Sequence, residues 1–266
     1  MLFLIVAIFS VLFCRTTLGQ SAYHIVKVTD GGTIAGQVKW TGPVPRSLTF
    51  PITKDPQICD PESHKHVDLE RLVIGPEGGV ANTVVFLSDV SKGKAMDLPE
   101  PRRFLNQSHC RYEPHILLVP ENEDLRMKSS DATLHTIHME GAATYNLPFP
   151  FPNKVISRPM NNPGLVTLRC NGGHVWMNAE MFVAHHPYYA VTDESGKFEL
   201  TDVPAGEYEL VAWHEGWNLA RRESTHDVLT QRTVERPVFT EPRTWQKHAS
   251  VHAGQTTQIN FALSER

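Results

Sequence analysis

Cys170-Asn171-Gly172-Gly173-His174-Val175-Trp176-Met177 sets a thiol, an imidazole and a thioether within one short run of chain. A soft thiolate with a thioether selects copper over magnesium or calcium. Two imidazoles, one thiolate and a weak axial Met form the ligand set of copper electron-transfer sites. The stretch supplies three of those four donors. The remaining imidazole must come from a distant strand, and Leu134-His135-Thr136-Ile137-His138 offers two candidates. His135 is the expected ligand, with His138 as an alternative ligand, a neighbour behind the ligands or, most often for such a position, a polar surface residue. Zinc is the rival ion, because Cys and His also bind it tetrahedrally, but a thioether suits it poorly. The expected set is therefore copper held by His135, Cys170, His174 and Met177, with Met181 competing for the axial place. Trp176 reads as packing that keeps water from the ion.

On either side the chain alternates as strands do. Ile34, Val38 and Trp40 fall on one face of residues 33–40, and residues 80–87 are a buried-type run rich in β-branched side chains. Residues 116–119, 165–168, 197–200 and 208–213 read as further short strands. Turns are marked by Gly31-Gly32, Gly78-Gly79, Asn161-Asn162-Pro163-Gly164, Asp193-Glu194-Ser195-Gly196 and Pro204-Ala205-Gly206. Convincing amphipathic helices are absent. Residues 218–234, polar and carrying both signs of charge, are expected to form a short helix or an exposed loop. The pattern predicts an all-β protein of two β-sandwiches.

The run Thr192-Asp193-Glu194-Ser195-Gly196-Lys197-Phe198-Glu199-Leu200, followed by Val203-Pro204-Ala205-Gly206-Glu207-Tyr208-Glu209-Leu210, resembles the carboxypeptidase regulatory-like domain, a transthyretin-like sandwich. Residues 32–38, 78–87 and 251–260 are similar to that family's first, second and last strands. A domain-sized interruption separates Leu87 from Val191. It resembles the cupredoxins. Pro114-His115-Ile116-Leu117-Leu118-Val119-Pro120 precedes the segment Ser129-Ser130-Asp131-Ala132-Thr133-Leu134-His135, where that family carries its first His. Pro163-Gly164-Leu165-Val166-Thr167-Leu168-Arg169-Cys170 is similar to the strand that delivers its Cys. The resemblance implies a Greek-key cupredoxin-like domain of the plastocyanin/amicyanin type over residues 91–188, inserted in a split sandwich of residues 22–90 and 189–264. Two departures stand out. The family follows its first His with an Asn that ties the two ligand loops together, and here Thr136 follows. Asn171, Gly172 and Gly173 separate Cys170 from His174, where amicyanin-type members have two residues. Both leave colour and potential open.

Residues 2–14 are a nearly unbroken apolar run, too short to span a bilayer and of signal-peptide length. Thr17 and Gly19 suit cleavage before Gln20, so residues 1–19 are expected to be a signal peptide, with an uncleaved anchor as the alternative. No later stretch is apolar enough to cross a membrane, and a periplasmic or secreted protein is expected. Cleavage removes Cys14 and leaves Cys59, Cys110 and Cys170 in an oxidising compartment. With Cys170 on the metal, Cys59 and Cys110 are left to pair as a disulfide; another pairing, or two buried thiols, is the alternative.

The 266 residues are 41% hydrophobic and 20% charged with a formal charge of −4, and no basic cluster supports nucleic-acid binding. No Gly-x-Ser-x-Gly elbow, phosphate loop or His-Glu-x-x-His motif is present. Glu113, Asp131 and Glu140 lie near the metal stretches without a diagnostic pairing. The expectation is an exported mononuclear copper protein that carries single electrons to or from a protein partner, rather than an enzyme. A copper chaperone or storage module, and an adhesion or scaffold protein with a degenerate metal site, are the competing readings. His109, His115, His185, His186 and His214 read as solvent-facing or hydrogen-bonded at a domain seam, with a second metal site as the alternative.

Overall fold

The computed structural model describes residues 23–98, 103–227 and 230–265. The expected signal peptide, residues 1–19, lies outside the described residues. The protein is all-β. Its described residues form 23 strands, with one four-residue α-helix, Pro56–Cys59, and a 3-10 turn at Pro76–Gly78.

Four sheets carry the fold. The first orders Ile156–Met160, Glu123–Ser129, Phe104–Ser108 and Arg111–Glu113; the second orders Tyr145–Phe149, His135–Gly141, Gly164–Arg169, Asn178–Ala184 and Ile116–Pro120. The third orders Tyr189–Val191, Val84–Leu87, Gly206–His214 and Arg243–Val251. The fourth joins Lys197–Val203, Gly32–Trp40 and Thr256–Gln258, with Phe261–Leu263 also paired to Gly32–Trp40.

The apolar runs follow from how these sheets stack. Successive side chains of a strand point to opposite faces. Along Ile116–Pro120, Leu117 and Val119 enter a core between the first and second sheets, while Ile116 and Leu118 enter a separate seam between the second and third. Asn178–Ala184 divides likewise, with Ala179, Met181 and Val183 to the core and Phe182 and Ala184 to the seam. On the third sheet Val84 and Trp213 face the seam, whereas Val85, Leu87, Leu210 and Ala212 join the core shared with the fourth sheet. A strand covered on both faces reads as a continuous apolar run. Phe86 stacks on Tyr189 with centroids 5.0 Å apart, and Phe182 meets Trp213 edge-on at 4.9 Å, adding aromatic contacts to the apolar seam.

Two ribbons lie against the core between the first and second sheets. One pairs Thr49–Pro51 with His66–Asp68 and contributes Phe50, Cys59, Val67 and Leu69. The other is the antiparallel hairpin Leu219–His226 with Thr233–Phe239. It corrects the expectation of a short helix or loop over residues 218–234. Residues 219–224 are all exposed, so no alternation marks that strand in the sequence.

Candidate metal centre

The strand Gly164–Arg169 ends where the metal stretch begins, and the chain returns as Asn178–Ala184, its antiparallel neighbour. The loop between them is closed by its own backbone: Met177 N–H donates to His174 O at 3.0 Å, and Cys170 N–H to Met177 O at 3.4 Å. Gly173 has φ +89, and a Cβ there would lie 2.6 Å from Asp227 Oδ2 and 2.8 Å from Lys54 Nζ. The positive φ favours glycine there. His135 opens the strand His135–Gly141, which pairs with Gly164–Arg169 and so brings the two sequence-distant ligand stretches to one end of the second sheet.

There the donors of His135, Cys170 and His174 converge, with one ligand atom from each lying within 4.8 Å of the others. All three are buried, at 0%, 1% and 0% exposure. Cys170 Sγ stands 4.0 Å from His174 Nδ1. His135 Nε2 is bonded to Asp131, and its buried Nδ1 has no hydrogen-bond partner. A buried ring nitrogen without a partner is costly unless something else fills its lone pair. Two imidazoles and a thiol facing one another suit a soft or borderline ion, and the donor set fits copper.

Charge is arranged to suit. Burial opposes ionisation of the Cys170 thiol, but the neighbouring His135 and His174 imidazoles hold it well below the usual thiol range. Burial likewise works against a charged His135, but Asp131 and Cys170 raise it to about 9, so an ion taken up at Nδ1 would have to displace its proton. A thiolate is the form that binds metal.

Several residues beyond the expected set shape the centre. Asp131 Oδ2 lies 2.9 Å from His135 Nε2, and the same carboxylate accepts the backbone N–H groups of His109 and Cys110. Asp55 Oδ2 lies 3.0 Å from His174 Nε2 and accepts a hydrogen bond from Thr133 at 2.7 Å. Carboxylates behind metal-binding imidazoles fix ring orientation and raise basicity. Asp131, four residues before His135, could have been singled out from local spacing. Asp55, 119 residues from His174, left no local signal.

Thr136, expected from the sequence to be a departure from the resembled pattern, ties the two loops together. Its Oγ1 accepts the Asn171 N–H at 2.7 Å, and its own N–H reaches Cys170 Sγ at 3.5 Å. Gly172 N–H donates to the same sulfur at 3.3 Å. Arg236, on the hairpin, donates to Asn171 Oδ1 at 2.8 Å and Cys170 O at 3.3 Å.

Cys59 and Cys110 are joined by a disulfide with Cα atoms 5.0 Å apart. Closing a loop between residues 51 apart stabilises by about 4 kcal/mol in the chain-entropy view. The bond links the turn held by Asp131 to the helix that follows Asp55. Trp176 Nε1–H donates to Cys110 O at 3.1 Å, and its ring meets His174 edge-on at 5.5 Å.

Met177 is buried in the same core as Cys170, directly after the loop. Met181 lies within the strand Asn178–Ala184, in register with Val166 and Leu117. His138, in register with Asn146 and Arg169, points to Glu140 at 3.6 Å and does not join the three converging donors. Of the further histidines, His115 and His214 belong to a buried polar network at the seam. Glu215 forms ion pairs with Arg71 and His115, while His214 Nδ1 lies 2.8 Å from Glu215 O. His185 pairs with Glu121 at 2.6 Å.

Glu180 borders that network, and its pKa is pushed up to about 7, first by burial and then by Glu215. A carboxyl raised in the folded state adds stability below its unfolded value of 4.5 and loses it as pH climbs to about 7. Glu180→Gln should therefore gain on the wild type across that window. Denaturation midpoints that keep a constant difference from pH 4.5 to 7 would contradict the assignment.

A family described as the second beta sandwich domain of the BOS complex subunit NOMO1-like matches residues 184–238. Among curated proteins none matches this chain in sequence. A copper-containing nitrite reductase from Thermus scotoductus is similar at 14% identity and TM-score 0.29, over 30% of this chain and 22% of its own. The chain thus spans about a fifth of that enzyme. A purple cupredoxin from Nitrosopumilus maritimus is similar at 15% identity and TM-score 0.27, over 30% of this chain and 98% of its own. A reduced amicyanin variant is similar at 17% identity and TM-score 0.29, over 33% of this chain and 87% of its own.

Proposed function

We propose that this is an exported mononuclear copper protein that carries single electrons. The observation that carries the reading is the buried convergence of His135, Cys170 and His174, with His135 Nδ1 left without a hydrogen-bond partner. These three side chains hold the ion, and Met177 is the candidate fourth donor. When bound, copper supplies a one-electron couple. The chain's part is to keep the donors in one geometry for both oxidation states. Asp131 and Asp55 fix the two imidazoles, Thr136 ties the ligand loops, and Trp176 excludes water. Full burial of the donors favours an electron carrier over a chaperone or store, which must release its ion to a partner. It equally leaves no open face for a substrate.

We further read residues 91–188 as a cupredoxin-like unit set within a sandwich drawn from residues 22–90 and 189–264, which also send the ribbons at 49–68 and 219–239 onto the unit's core. Support comes from the pairing of Val84–Leu87 with Tyr189–Val191 on either side of that unit. The disulfide suits an oxidising, periplasmic or secreted location, and no helix among the described residues is long and apolar enough to cross a membrane. A protein redox partner follows from the role.

Adding Cu(II) to the metal-free protein should produce an intense visible band that saturates at one equivalent and is bleached and restored by cycles of reductant and oxidant. A colourless copper complex, or tighter retention of zinc with no redox response, would reject the proposal.

A further inference from the structure

The disulfide stands at the metal centre itself. One ligand atom each from Cys59, Cys110 and His174 lie within 4.8 Å of one another, and all three residues are buried. Beside them Asp55 offers a carboxylate oxygen 3.0 Å from His174 Nε2, and the Cys59 N–H is bonded to Asp55 O at 2.9 Å. While the sulfurs are bonded to each other they are poor ligands. Once separated they become two thiols facing an imidazole and a carboxylate, a set that suits thiophilic ions.

We propose that Cys59, Cys110 and His174 form a second metal site, for a thiophilic ion such as monovalent copper, that exists only when the Cys59–Cys110 disulfide is reduced. The electron balance is simple. A dithiol reductant supplies two electrons and two protons, the S–S bond breaks to give two thiols, and the reductant closes to its own disulfide. Binding the ion then releases the two thiol protons. His174 belongs to both donor sets, so the oxidation state of the disulfide decides whether this imidazole has two further thiolates beside it.

The test uses the full chain carrying Cys170→Ser and His135→Gln, which removes two donors of the first centre and leaves Cys59, Cys110 and His174 in place. Its outcome is therefore separate from that of the electron-carrier reading. Oxidised protein, and protein reduced with a dithiol and freed of it without air, are titrated with Cu(I) against a competing chelator. The reduced form should gain one tightly held equivalent that the oxidised form lacks, and adding His174→Gln should abolish that gain. Equal binding by the two forms would overturn the site. So would undiminished binding by the reduced His174→Gln variant, because a loosened chain chelating through its thiols alone would be indifferent to the imidazole.

Discussion

Copper-loaded Cys170→Ser should lose the intense visible absorption expected of the wild type while keeping its sheet content and its disulfide. A thiolate is the donor strongly coupled to copper, and a hydroxyl does not replace that coupling. The fold should survive because serine has nearly the volume of cysteine. It can also accept the hydrogen bonds that now reach the sulfur from Gly172 and Thr136. The core around it is built from strands of both sheets, including Leu117, Ile137, Val166 and Met181, and does not depend on this one side chain. Far-ultraviolet circular dichroism beside the visible spectrum separates a lost ligand from a lost fold. An unchanged band in the variant would refute the thiolate assignment.

The largest loss of stability should come from Glu215→Ala. Glu215 is fully buried and balances both Arg71 and His115. Arg71 is itself buried, donates to Gly216 O at 2.9 Å and Asn178 Oδ1 at 2.7 Å, and lies over Phe239. At 6% exposure it is left largely buried without its counter-ion when the carboxylate is removed. Breaking a buried pair in this way costs about 3–5 kcal/mol, because an uncompensated charge stays inside. The denaturant midpoint should fall accordingly with little change in slope. A loss below about 1 kcal/mol, the range of exposed pairs, would mean that water reaches Arg71.

Much of this could be read from the sequence where local rules apply. Strands such as Gly32–Trp40 and Lys197–Val203 alternate because one face is covered, and that pattern survives in a one-dimensional reading. The closeness of Cys170 and His174 is equally legible, since a loop between neighbouring strands holds them together by connectivity alone. What could not be read depends on distant chain segments. The Asp55 carboxylate and the Arg236 guanidinium reach the ligand loop from ribbons whose docking no spacing encodes. The hairpin from Leu219 to Phe239 leaves no alternation to read because pairing, rather than burial, holds its exposed first strand extended. Thr136 was read as a departure from a pattern. Its hydroxyl makes a loop tie, a role that residue type alone did not disclose.

The seam between the second and third sheets bears on how such a chain can change over generations. Ile116–Pro120, Asn178–Ala184 and Val84–Leu87 divide their side chains between two packed layers, leaving almost no position on these strands open to water. Apart from polar Asn178 and Glu180, substitution there is confined to apolar exchanges of like volume, whereas outward positions such as Glu123, Asp124 and Arg126, or Lys197 and Glu199, are free to drift. Descendant sequences should diverge on the two outer sheets first and hold their two inner ones. For the same reason neither half of the stack is a portable module. A lineage that recombined one sandwich into another protein would inherit Trp213 or Phe182 with no surface to cover it, so the pair is passed on together or not at all.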